Sequence, residues 1–149
     1  YLQSVTIPDL DEVGRHECAK EIRHLRGQEV KYILQWLRHA KGVSKILTLQ
    51  VLDSRSRPHS EGAIEEAMDG IHIEELDWKK MDMSIKTLRR VARSAHTLHF
   101  YASGSWTPIY HWTGAHGFES LPVSKMMPTQ CFYISNGFGD STCKTSTSP

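Results

Sequence analysis

Residues able to do chemistry are plentiful here but poorly arranged for it. Nine histidines and three cysteines occur among 149 residues. A zinc site needs about four ligands at short, characteristic spacings. The nearest groupings, His16 with Cys18, His96 with His99 and His111 with His116, match none of them. On a strand, His96 and His99 would point to opposite faces because their separation is odd. The cysteines stand apart at Cys18, Cys131 and Cys143, too few and too scattered for a disulfide framework. Asp53, His59 and Ser60 occur in an order that suggests a nucleophilic triad, yet all three belong to one loop, and a triad is made by geometry rather than by composition. Gly137 and Gly139 precede Lys144 and Thr145 without the spacing or the buried strand of a phosphate-binding loop. The expectation is a chain with no catalytic residues, no metal and no cofactor.

Better candidates for binding are aromatic. Trp106, Tyr110 and Trp112 fall in a segment expected to be a loop beyond the C-terminal end of a strand, where α/β sheets usually bind ligands. Their competing role is to close the end of the core. Charge offers a second possibility. The totals, 18 basic against 17 acidic residues, argue against a dedicated nucleic-acid binder. The distribution is uneven, with eight basic and three acidic residues from Arg15 to Lys45, then eight acidic residues from Glu61 to Asp82 against Lys79 and Lys80. Such segregation suits either a basic face for nucleic acid or two helices that attract one another within the fold.

The elements that position these residues follow from periodicity. Residues 1–14 read as a leader or linker. Residues 15–42 form a helical segment, with Cys18, Ile22 and Leu25 before an interruption at Gly27 and Val30, Ile33, Leu34 and Leu37 after it. Residues 43–122 alternate strands (Ile46–Leu52, Ile71–Trp78, Thr97–Tyr101) with helices capped by Ser60 and Ser84. The inward pairs are expected to be Leu47 with Leu49, Leu76 with Trp78 and Leu98 with Phe100. Cys131 to Ile134 suggest one more strand, at an edge. Residues 123–149 form a divergent tail, expected to be largely disordered because Ser135 to Pro149 offers little to bury. The fold class is α/β. Repeated strand–helix units build a small parallel sheet, either leucine-rich-repeat-like or an ordinary layered sheet, with the helical segment packed on it. No apolar run approaches the ~18 residues of a membrane span, and no signal peptide is visible. A start at Tyr1 rather than Met suggests a fragment or a processed piece.

Four stretches carry a resemblance: K-G-V-S-K-I-L-T-L-Q-V-L-D-S (Lys41 to Ser54), P-H-S-E-G-A-I-E-E-A (Pro58 to Ala67), L-D-W-K-K-M-D (Leu76 to Asp82) and L-H-F-Y-A-S-G-S-W (Leu98 to Trp106). They resemble a region of large fungal intracellular proteins that precedes a subtilisin-like serine protease domain. The resemblance covers about half the chain and includes no catalytic motif. After Pro122 the sequence departs from the pattern, as a broken reading frame would. The resemblance implies a non-catalytic accessory domain of an intracellular, cytoplasmic protein. Its partner would be a protein, either that protease domain or another chain, and neither a nucleic acid nor a membrane. Two alternatives are a fragment of such a protease without its active site and a nucleic-acid-binding module using residues 15–45. A serine-directed covalent probe should leave the purified chain unlabelled, and stoichiometric labelling of any serine would overturn the non-catalytic reading.

Overall fold

Buried apolar residues recur at a step of three and then two: Ile46, Leu49 and Val51; Ile73, Leu76 and Trp78; Ala95, Leu98 and Phe100. The computed structural model describes residues 1–10, 27–91, 93–114, 116–117, 121, 130–135 and 141–146. In it the last two members of each triplet lie on one face of a strand, and the first lies at or just before the strand's start. The elements in chain order are β1 (Leu2–Ile7), α1 (Glu29–Lys41), β2 (Lys45–Val51), α2 (Glu61–Met68), β3 (His72–Trp78), α3 (Ile85–Val91), β4 (Thr97–Tyr101), α4 (Trp106–Thr113), β5 (Gln130–Ser135) and β6 (Ser141–Ser146).

The strands pair in their order along the chain. β1 to β5 are mutually parallel, and β6 closes the row antiparallel to β5. In register, Val5 stands beside Leu49, Leu49 beside Leu76 and Leu76 beside Leu98. Parallel neighbours need a crossover, and crossovers of this kind are right-handed. When every new strand is added on the same side of the last one, a constant hand sends every helix to the same face. The contacts agree. Lys31 of α1 meets Glu66 of α2 at 2.5 Å, and Arg90 of α3 meets Glu65 of α2 at 2.7 Å, so the three helices lie side by side. Trp112 of α4 packs on Phe100, ring centroids 5.5 Å apart, on the apolar side of the sheet.

Local chemistry sets the helix ends. Ser60 accepts a hydrogen bond from the Ala63 N–H at 3.2 Å, capping α2. Ser84 does the same for α3, accepting from the Thr87 N–H at 3.2 Å. Glu61 then ties the two helices together by accepting from both the Ser84 N–H and its hydroxyl, each at 2.7 Å. Burial pushes the Glu61 carboxyl up, but these bonds and that from Thr87 outweigh it and hold the group below its ordinary value. Gly42 ends α1 at φ 66°, in the left-handed region that glycine occupies most readily.

Several expectations need correction. The supposed leader supplies β1, which pairs with β2 through backbone bonds that need no large apolar run. Leu47 is half-buried; Ile46 and Val51 are the true companions of Leu49, because the three-residue step at the strand's start replaces simple alternation. The aromatic segment is the helix α4 rather than a loop. In the expected disordered tail, residues 141–146 form β6, which makes β5 internal rather than an edge. Arg15 to Arg26, Ala92, Phe118 and Pro122 lie outside the described residues, as do residues 136–140 and 147–149.

Leu49→Ala should cost about 2–5 kcal/mol in urea unfolding, as a full core truncation does. Leu47→Ala should cost less than half as much. Equal losses would contradict the three-then-two packing.

Candidate functional site

Loops at the C-terminal ends of the parallel strands and the strand face opposite the helices carry the polar groups of interest. After β2 the chain turns through a loop organised by one carboxylate. Asp53 is buried and accepts from the Ser54 N–H at 3.0 Å, the His59 N–H at 3.1 Å and the Trp78 indole N–H at 3.0 Å. His59 Nδ1 lies 2.7 Å from the same carboxylate. Burial raises the Asp53 pKa, but the bonds from His59 and Trp78 outweigh it and hold the group below its ordinary value. His59 stands edge-on to Trp78, with centroids 5.8 Å apart. Its other nitrogen, Nε2, is buried without a hydrogen-bond partner, 3.4 Å from Glu29 Oε2 on the first turn of α1.

Of the sequence-level trio, Asp53 and His59 therefore meet. Ser60 does not join them: its hydroxyl caps α2, and His59 Nε2 has no hydrogen-bond partner.

Opposite the helices, the strand face is polar and bonded into two rows. Glu75 accepts from Thr48 Oγ1 at 3.1 Å and meets His99 Nε2 at 3.0 Å. Asp77 accepts from Gln50 Nε2 at 2.8 Å and from the Tyr101 hydroxyl at 2.6 Å. Burial, the bond to Asp77 and that carboxylate's charge all push the Tyr101 phenol up. β2, β3 and β4 thus each contribute a polar pair two residues apart: Thr48 and Gln50, Glu75 and Asp77, His99 and Tyr101. Sequence reasoning missed this face. Aligning the strands on Leu49, Leu76 and Leu98 would have revealed it.

The three aromatic candidates separate. Trp106 is 82% exposed and Tyr110 is 75% exposed, one helical turn apart on α4. Trp112 is 2% exposed and donates its indole N–H to the Met83 carbonyl at 2.9 Å, so it belongs to the core. On this helix the exposed aromatic area belongs to Trp106 and Tyr110.

The described basic residues Lys31, Arg38, Lys41 and Lys45 make contacts within the chain, at its surface. Lys31 pairs with Glu66, Arg38 donates to the Asp69 carbonyl at 3.1 Å, Lys45 meets Glu74 at 2.6 Å and Lys41 sits over the Trp36 ring at 5.1 Å. Among the described residues, no group of three or more His, Cys, Asp and Glu could hold a metal ion. No described helix is long and apolar enough to cross a membrane. Neither a protein-family model, nor a curated protein, nor a solved structure matches this chain.

Two measurements check this picture. Because the folded-state pKa of Asp53 is depressed, its contribution is complete above the ordinary carboxylate value of about 4 and is lost as pH falls through the lower folded value. Asp53→Asn should cost about 1.5–3 kcal/mol at neutral pH, the range for hydrogen bonds to a charged group. It should also flatten the acid limb of a stability-versus-pH curve. Trp112→Ala should cost about 3–5 kcal/mol, whereas Trp106→Ala should change stability by less than about 0.5 kcal/mol.

Proposed function

We propose that this chain is a non-catalytic protein-interaction module of leucine-rich-repeat-like architecture, an accessory region of a larger intracellular protein. The observation that carries the reading is the half-buried polar strand face, held by the Glu75 and Asp77 rows while the described helices occupy the opposite side. Parallel strands in consecutive order place the described helices on one side, and repeat proteins use the opposite strand face to bind other proteins. The steps from Leu49 to Leu76 and from Leu76 to Leu98, 27 and 22 residues, fall within the repeat length of about 20–29 residues for that architecture. Trp106 and Tyr110 supply exposed aromatic area of the kind that anchors interfaces. The subtilisin-like parentage rests on sequence resemblance alone and specifies a context rather than an activity.

Two carboxylates on the strand face give it an acidic character, so the partner is a protein segment offering Lys, Arg or other hydrogen-bond donors. The nucleic-acid alternative draws on basic residues, and Lys31, Arg38, Lys41 and Lys45 are engaged within the fold.

A photocrosslinking side chain at Thr97, which neighbours Glu75 on the polar face, should capture a discrete protein from the source cell extract. The same group at Gln35 on α1 should not. The double variant Glu75→Gln, Asp77→Asn should then bind that partner at least about tenfold more weakly, equivalent to about 1.4 kcal/mol. Capture from Gln35 alone, or unchanged affinity of the double variant, would overturn the reading.

A further inference from the structure

β1 ends the row of strands, with no described strand beyond it. Sheet edges are ordinarily blunted by charge, proline or a bulge. The six residues of β1, LQSVTI, carry neither charge nor proline, whereas β6 at the other edge includes Lys144. Gln3, Ser4 and Thr6 are exposed. The Ile7 carbonyl accepts from the Leu52 N–H at 2.9 Å, which turns the backbone bonds of the odd-numbered residues toward β2. Successive residues of a strand bond to opposite sides, so Ser4 and Thr6 present their N–H and carbonyl groups outward. The helix at this end has a bare flank too. α2 lies between α1 and α3, which leaves α1 on the β1 side. Lys31 and Arg38 reach α2 from one side of α1. Trp36 precedes Arg38 by two residues, about 200° around the helix, and so turns away from α2. It is 53% exposed even with Lys41 over its ring, and Tyr32, one turn earlier, is 45% exposed.

An uncharged strand edge and an aromatic helix flank at the same end call for a neighbour that offers both a strand and a helix. We propose that a second copy of this chain is that neighbour, joined by antiparallel pairing of the two β1 strands about a two-fold axis at Val5. This register keeps backbone and side chains in step. Ser4 and Thr6 of one copy exchange backbone bonds with Thr6 and Ser4 of the other. Val5, which packs on the core beside Leu49, meets its own image there, a favourable β-branched pair. With no charge in β1, nothing repels its image across the axis. The helices agree with this arrangement. Each α1 belongs to the connection from β1 to β2, so the two copies of α1 lie two strand spacings apart, ~9.6 Å, the distance at which helices pack. They run antiparallel, which sets the acidic first turn of one, at Glu29, toward the basic last turn of the other, Arg38 to Lys41. Both Trp36 flanks face the seam. The two polar strand faces emerge on the same side of one continuous sheet, and the pairing does not depend on what they bind.

The test is sedimentation equilibrium of the full chain. A dimer is expected. In a mixture of ¹³C-labelled and unlabelled chains, isotope-filtered NOEs should connect the Val5 methyl groups of the two copies. Ser4→Pro deletes an outward N–H, and Trp36→Glu places a charge at the helix seam; each should raise the dissociation constant at least about tenfold. Trp106→Glu, on the other exposed aromatic flank, should leave it unchanged. Ser4→Pro risks loosening β1, so Trp36→Glu, at an exposed position and with its thermal melting compared with the wild type, is the decisive variant. The proposal is overturned by any of four results: a chain monomeric up to about 1 mM, a dimer indifferent to Trp36→Glu, a dimer without contacts between the Val5 methyl groups, or open-ended assembly in place of a dimer.

Discussion

The architecture depends on one constraint: each strand from β1 to β5 is laid parallel to its predecessor and on the same side of it. Parallel neighbours cannot be joined by a hairpin, so every connection must climb over the sheet, and a fixed hand makes all of them climb over the same face. Two faces of opposite character follow. One is lined by Leu49, Leu76, Trp78, Leu98 and Phe100 and covered by helices. The other is left to Thr48, Gln50, Glu75, Asp77, His99 and Tyr101, which satisfy one another across the strands. A sheet with alternating polarity of connection would have covered both.

Helix packing on the covered face is electrostatic as well as apolar. Glu61, Glu65 and Glu66 of α2 reach the cap of α3, Arg90 and Lys31 respectively, so the acidic helix is clasped on both sides. The uneven charge distribution along the sequence is thereby used within the molecule. Exposed ion pairs of this kind contribute little individually. The half-buried bonds of Glu61 to Ser84 and Thr87 matter more, because they fix where α3 begins relative to α2.

Elements whose signals are local were legible in the sequence. Ser60 and Ser84 announce helix starts, and the branched run around Leu49 announces a strand. Signals that depend on a partner were not. β1 is short and half polar, and only its pairing with β2 makes it a strand. β6 is written in Ser, Thr and Lys, residues that read as solvated until the backbone of β5 offers them hydrogen bonds. Strict alternation pairs Leu47 with Leu49, but the buried residues step by three, from Ile46 to Leu49. The Asp53–His59 bond was hidden for a related reason: six residues of separation say nothing about geometry until the loop closes around the Trp78 indole. Trp106 and Trp112 differ by little in sequence and by nearly everything in environment, which only the helical phase of α4 decides.

The consecutive strand order also fixes how the molecule carries load. Each strand is bonded chiefly to the one before and the one after, as links are in a chain, so cohesion is a sum of nearest-neighbour terms rather than the property of one central knot. A pull applied across the row, from β1 toward β6, is borne in series, and the weakest junction sets the yield point. Between β3 and β4 the ladder pairs Glu75 with Thr97 and Leu76 with Leu98, against six pairs between β2 and β3, and the Met81–Tyr101 bridge and the side-chain bonds of Glu75 and Asp77 add to it. At that seam the ladder is short, and the side-chain bonds of Glu75 to His99 and of Asp77 to Tyr101 carry a larger share of the load.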